Sequence, residues 1–245
     1  MRHYHTTLSW ESAGKPVPQV SFGTKKHFLP NKVGYPAPPW IETGPTFAPF
    51  DFSKSMLDLI VDIANVSPHF YHLDPQKILV TIIRARNQQR HGLQARVTPM
   101  RFEGGNLQCR RRNRLYEVQR YFVDGREIFY IVTFCLPRFQ NQSLEGKLVT
   151  VFHELFHISP FFDGDLPRHP GRCSWHSSDK KEYDAQMLVF AREYLATTQS
   201  PKLHDFLRLD FSQLIARHQG LNGLFVPVPR LLPLRQPAQI LLAED

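Results

Sequence analysis

The chain carries only 3 cysteines in 245 residues. Cys109, Cys135 and Cys173 are too scattered for a disulfide framework and form no zinc-ribbon pair. No apolar run is long enough to cross a bilayer as a helix. The opening segment, Met1 to Thr7, lacks the apolar stretch of a secretory signal, so a reducing cytoplasm is the expected setting. No internal repeat is visible. Acidic residues are in deficit, 22 against 30 lysines and arginines, which leaves a net charge of +8. That sign attracts acidic partners, nucleic acid included. No nucleic-acid-binding motif of recognisable spacing accompanies it.

What is present points to a packed protein. Hydrophobic residues make up 42% and charged residues 21%, a balance that builds a core. The length suits one domain with tails, or two small domains. Pro16, Pro18, Pro30, Pro36, Pro38, Pro39, Pro45 and Pro49 interrupt helices and central strands, so residues 1–50 read as a Pro-rich irregular arm. Phe22, Phe28, Tyr35, Trp40 and Phe47 argue that part of this arm lies against the domain. The densest basic run contains Arg110, Arg111, Arg112 and Arg114. It reads as a solvated loop, with nucleic-acid association through these four as the sharper alternative.

Past the arm, periodicity organises the chain. Met56, Leu57, Ile60, Ile63 and Ala64 recur at helical spacing, and Pro68 follows the stop. Ile78 to Ile83 is rich in β-branched residues and predicts a strand, and Val97 to Phe102 predicts another. Leu115–Val123 and Arg126–Phe134 flank Asp124-Gly125, a pair suited to a type I′ turn, which predicts a long hairpin. A helix is expected from about Ser143, its N-cap, to Ile158, with Pro160 forbidding continuation. Leu148, Phe152, Leu155 and Phe156 supply its apolar face. A further helix is expected over about 178–196, with Ala185, Leu188, Val189, Ala191 and Leu195 as core positions. A short one follows Ser200-Pro201, closed by Gly220. Val226 to Pro233 reads as an extended segment, docked or loose. The expected organisation is an arm over 1–50, a domain over 51–200, and a C-terminal helix and extended tail over 201–245.

The chemistry concentrates at His153-Glu154-Leu155-Phe156-His157, an HExxH pattern on the predicted helix. Residues four apart in an α-helix differ by about 40° in direction and roughly 6 Å in height. Both imidazoles can then reach one cation at about 2.0–2.1 Å. Glu154 sits beside that face, where a carboxylate can take a proton from water activated by the cation. A catalytic zinc site needs a third protein donor. His169, held between Pro167 and Pro170 in a turning loop, is the first choice. His176 is the second, and Glu182 on the next helix the third. Cys173 fits better as a small buried thiol.

These residues resemble a known family. Tyr130 to Phe134 leading into Pro137-Arg138-Phe139, then Val151 to Ile158, is similar to the zincin metallopeptidases, more narrowly the phage-type metallopeptidases and less closely the SprT-like proteins. The similarity covers about Asp51 to Leu195. It implies an α+β fold, in which a small mixed or antiparallel sheet packs on the HExxH helix, with flanking helices and Pro-rich tails. It also implies Zn2+ held by His153, His157 and His169, with Glu154 as general base, and a polypeptide as substrate. In such a fold the strand before the helix borders the cleft, so an extended peptide is expected on the edge of Ile128–Phe134. Tyr183 or His176 is expected to stabilise the oxyanion. A basic nucleic-acid-associated protein with a structural metal, and a metal hydrolase of non-peptide amides, remain as alternatives.

Overall fold

The computed structural model describes residues 3–10, 16–23, 49–86, 92–167 and 180–234. Its strands are β1 (His3–Trp10), β2 (Val17–Gly23), β3 (Phe50–Asp51), β4 (Ile78–Arg84), β5 (Ala95–Pro99), β6 (Gln108–Arg111), β7 (Arg114–Val118), β8 (Phe122–Val123), β9 (Arg126–Glu127), β10 (Tyr130–Leu136), β11 (Leu221–Phe225) and β12 (Leu231–Pro233). The α-helices are α1 (Phe52–Val66), α2 (Leu144–Phe156), α3 (Lys180–Thr197) and α4 (Phe211–His218), and a 3-10 helix covers Pro201–Arg208. The class is α+β with small sheets, as the sequence predicts. None of these helices is long and apolar enough to cross a membrane.

Side-chain caps explain where the helices begin. The carboxylate of Asp51 accepts the Lys54 N–H at 2.9 Å and starts α1. Ser143 does the same for α2, accepting the Gly146 N–H at 3.1 Å. Asp210 and Gln213 form a reciprocal capping box on α4. The expected spans of α2 and α3 hold to within two residues. The face of α3 holds in part, with Ala191 buried and Leu195 packed against the core as expected. Val189 is 51% exposed and Ala185 is exposed, while Met187, Phe190, Ala191 and Tyr194 are buried. Phe156 of α2 is likewise 37% exposed rather than in the core.

Sheet order accounts for the burial of the strands. β10 lies between β4, to which it is parallel, and β5, to which it is antiparallel. All seven of its residues are buried, the continuous apolar pattern of a strand covered on both faces. A second sheet runs β2-β1-β11-β3. Its β11 presses on β4: a Cβ added at Gly223 would sit 2.3 Å from Cδ1 of Ile82, so only glycine fits there.

Three sequence expectations change. The segment 1–50 is not irregular throughout, because β1 and β2 form a hairpin and β1 pairs with β11 from Thr6↔Phe225 to Trp10↔Leu221. Pro18 falls in β2, the edge strand, where a missing N–H is tolerated. Trp10 is buried and meets Phe211 edge-on. Phe28, Tyr35, Trp40 and Phe47 lie outside the described residues. The C-terminal segment is no mere tail either, since β11 sits inside that sheet and β12 pairs with β7.

The long hairpin is also shorter than expected. Asp124 (φ 49°) and Gly125 (φ 78°) do make the turn, but only Phe122↔Glu127 and Val123↔Arg126 pair around it. β7 turns to β6 and β12, while β10 enters the buried sheet. Gln119 marks the divergence: it is buried, its N–H donates to the Arg230 carbonyl, and its side chain accepts the Arg230 N–H.

Candidate metal centre

The HExxH histidines sit where α2 ends. His153 is in the last turn and His157 is the C-cap residue. Helical spacing puts both rings on one side, and their Nε2 atoms lie 3.0 Å apart with ring planes at 87°. Any Nε2 separation up to about 4 Å lets two imidazoles share a cation at about 2.0–2.1 Å each. The separation is compatible with a shared metal, and it is equally the hydrogen-bonding distance of two imidazoles in complementary tautomers. On the other side of His153, Nδ1 stands 3.8 Å from Oδ1 of Asp184, so a carboxylate faces the ring nitrogen that is turned away from His157.

Glu154 follows His153 in the same turn of α2. Its side chain is buried at 8% exposure, and burial pushes its carboxyl up to about 7. The backbone N–H of Val97 donates to it and partly opposes that rise. The sheet register supplies this donor. Met100 N–H bonds Phe129 and Cys135 N–H bonds the Gln94 carbonyl across the β5–β10 ladder. The alternation of an antiparallel pair then turns the polar backbone groups of Ala95, Val97 and Pro99 away from β10.

Tyr183, at the start of α3, closes the third side. Its ring lies 4.9 Å from that of His153 and stacks at 6.2 Å on His157. Burial, then the charges of Glu154 and Asp184, raise its hydroxyl above the ordinary tyrosine range, so it remains a proton donor at neutral pH.

The chain leaving α2 is anchored to β10. The Tyr130 hydroxyl donates to the Asp165 carbonyl at 2.7 Å and accepts the Gly164 N–H at 2.9 Å. Gly104 N–H reaches the Asp165 carboxylate at 3.1 Å. Arg101 lies beneath, paired with Glu127 through two contacts of 2.7 and 2.8 Å and resting on the Phe129 ring.

Of the residues expected at the site, His153, Glu154, His157 and Tyr183 come together. His169, His176 and Cys173 fall within 168–179, outside the described residues, and so does the side chain of Glu182. Among the described residues no group of three or more His, Cys, Asp and Glu side chains stands ready to hold a metal ion. Asp184 is the residue that sequence reading missed. Its place beside Tyr183 was the available signal, but only the orientation of α3 over α2 brings both residues against the histidines. Arg110, Arg111, Arg112 and Arg114 are all exposed and belong to the β6–β7 hairpin rather than to an irregular loop. No protein-family model, curated protein or solved structure matches this chain significantly.

Proposed function

We propose that this protein is a zinc-dependent peptidase with a zincin-like centre. His153 and His157 hold the metal, His169 is the third ligand, and Glu154 is the general base. One observation carries the reading: the two Nε2 atoms converge to 3.0 Å beside a buried glutamate. The donor set fits the ion, because neutral imidazole nitrogens suit Zn2+ and Asp184 faces the remaining nitrogen of His153. Zinc, when bound, supplies a Lewis acid that makes water acidic near neutral pH.

The chain's own residues do the rest. Glu154 takes the proton of the attacking water and passes it to the leaving amine, work worth about 10²–10⁴-fold in rate. The Val97 N–H orients that carboxylate. The protonated Tyr183 hydroxyl donates to the oxygen that gains negative charge. An extended substrate does not add to β10, whose two edges are taken by β4 and β5. It lies instead along the outer edge of β5, where the carbonyls of Ala95, Val97 and Pro99 and the N–H of Ala95 face outward. Main-chain pairing of that kind recognises polypeptide with little dependence on side chains.

The test compares zinc-loaded wild type with Glu154→Gln on unfolded proteins and a peptide library. Cleavage by wild type that the variant lacks supports the reading. If zinc-loaded wild type cleaves nothing that the variant spares, the peptidase assignment is lost.

A further inference from the structure

Among the described residues two tight hairpins turn on residues of positive φ, and their sequences differ in kind. Between β8 and β9 the turn is Asp124-Gly125, the pair that such a backbone favours. Between β6 and β7 it is Arg112 (φ 44°) and Asn113 (φ 62°). Left-handed backbone at a residue with a long side chain costs about 1–2 kcal/mol. The register then places Arg111 directly opposite Arg114, a like-charge pair that weakens a ladder. Arg110 stands opposite Leu115.

Among the described residues no partner neutralises this charge. Residues 104–123 hold five arginines and a single acid, Glu117, which is engaged 3.5 Å from Arg120. Arg110, Arg111, Arg112 and Arg114 are exposed, and among the described residues none of them makes an ion pair or side-chain hydrogen bond. Folding alone does not account for four cations at a turn that would be more stable without them. The base of the hairpin is firm, since β12 pairs with β7 and the Leu234 N–H reaches the Leu115 carbonyl at 2.9 Å.

We propose that the β6–β7 tip is a binding surface for the phosphate backbone of double-stranded DNA, engaged without sequence preference. Guanidinium matches phosphate in charge and in paired donor geometry. The pleat sends Arg110 to one face of the ribbon and Arg111 with Arg114 to the other, while Arg112 caps the end. A flat anionic surface meets only one of those faces. A groove walled by phosphate on both sides meets them all, and the major groove admits a two-stranded ribbon. This inference is independent of the metal centre.

The experiment titrates a labelled 30-base-pair duplex with the full chain, read by fluorescence anisotropy between 50 and 300 mM salt. Wild type should give a slope of log affinity against log salt of about −3 to −4, alike for unrelated duplex sequences. Arg111→Gln with Arg114→Gln should weaken binding tenfold or more at 100 mM salt and make the slope shallower by about two. Arg110→Gln, on the opposite face, should make it shallower by about one. Should the double variant prove unfolded by circular dichroism, the wild-type slope and the Arg110→Gln variant decide. A wild-type slope shallower than about −1, variant affinities within twofold of wild type, or capture by phosphatidylserine vesicles without duplex binding each overturns the proposal.

Discussion

Lys147 and Glu154 lie on the same face of α2, two turns and about 10 Å apart, and both are charged side chains under cover. They are treated in opposite ways. The Lys147 ammonium is 1% exposed and donates to the carbonyls of Leu207 and Leu209 at 2.8 and 2.7 Å. Gln140 joins it there, donating to Phe206 and Leu209. Together they bind the end of the 3-10 helix to the first turn of α2 and to the turn that precedes it. Glu154 has the Val97 N–H and two histidines as helix neighbours, and burial leaves its carboxyl close to neutrality. One end of the helix uses a buried charge to hold the fold together. The other keeps a buried group able to exchange a proton. A half-satisfied acid in that position is characteristic of reactive sites.

Substitutions can test that division, and Glu154→Gln should have the largest effect. The amide still accepts the Val97 N–H, so the melting temperature should stay level or rise while peptide hydrolysis falls about 10²–10⁴-fold. A parallel loss of stability would show that Glu154 is structural like Lys147. Lys147→Met should do the reverse. Leaving the Leu207 carbonyl without its donor, and Leu209 with Gln140 alone, should lower the stability to denaturant by about 1–3 kcal/mol, with activity per folded molecule unchanged.

The same pair of proteins sharpens the comparison through pH. Burial lowers the Lys147 ammonium to about 8 from the 10.5 of an exposed lysine. The unfolded chain then binds the extra proton between those values, so wild-type stability relative to Lys147→Met should climb from pH 8 towards pH 10.5. A flat difference would mean that Lys147 is solvated. Next in size, Asp184→Asn should weaken zinc binding about tenfold, measured by competition with a chelator, because the ring of His153 loses its charged partner. Least of all, Arg192→Ala removes an exposed contact of 3.0 Å to Glu145 and should shift stability by no more than about 0.5 kcal/mol.

How far the sequence could be read depended on whether the deciding force was local. Ser143 and the run Leu148, Phe152, Leu155 predicted α2 because capping and helical periodicity act within a few residues. Asp124-Gly125 predicted its turn for the same reason. The fate of the flanking strands was hidden, since an apolar run such as β10 is equally compatible with any neighbour until the sheet assembles. The prolines of the first 50 residues were weighed as breakers, yet β1 has none and pairs with a strand more than 200 residues away. No local rule reports a partner at that distance.

The division at the candidate metal centre follows the same logic. The spacing of His153 and His157 determined that both rings would share a side of one helix, because helical geometry is fixed by the backbone alone. The sequence likewise determined the charge on the Arg110–Arg114 run and the α+β class. Only the tertiary structure decided that β5 would lend its Val97 N–H to Glu154, that Tyr183 and Asp184 would cross over the histidines, and that β10 would be enclosed. Those contacts join elements far apart in the chain. They arise from packing apolar faces against one another, a force with no direction along the sequence.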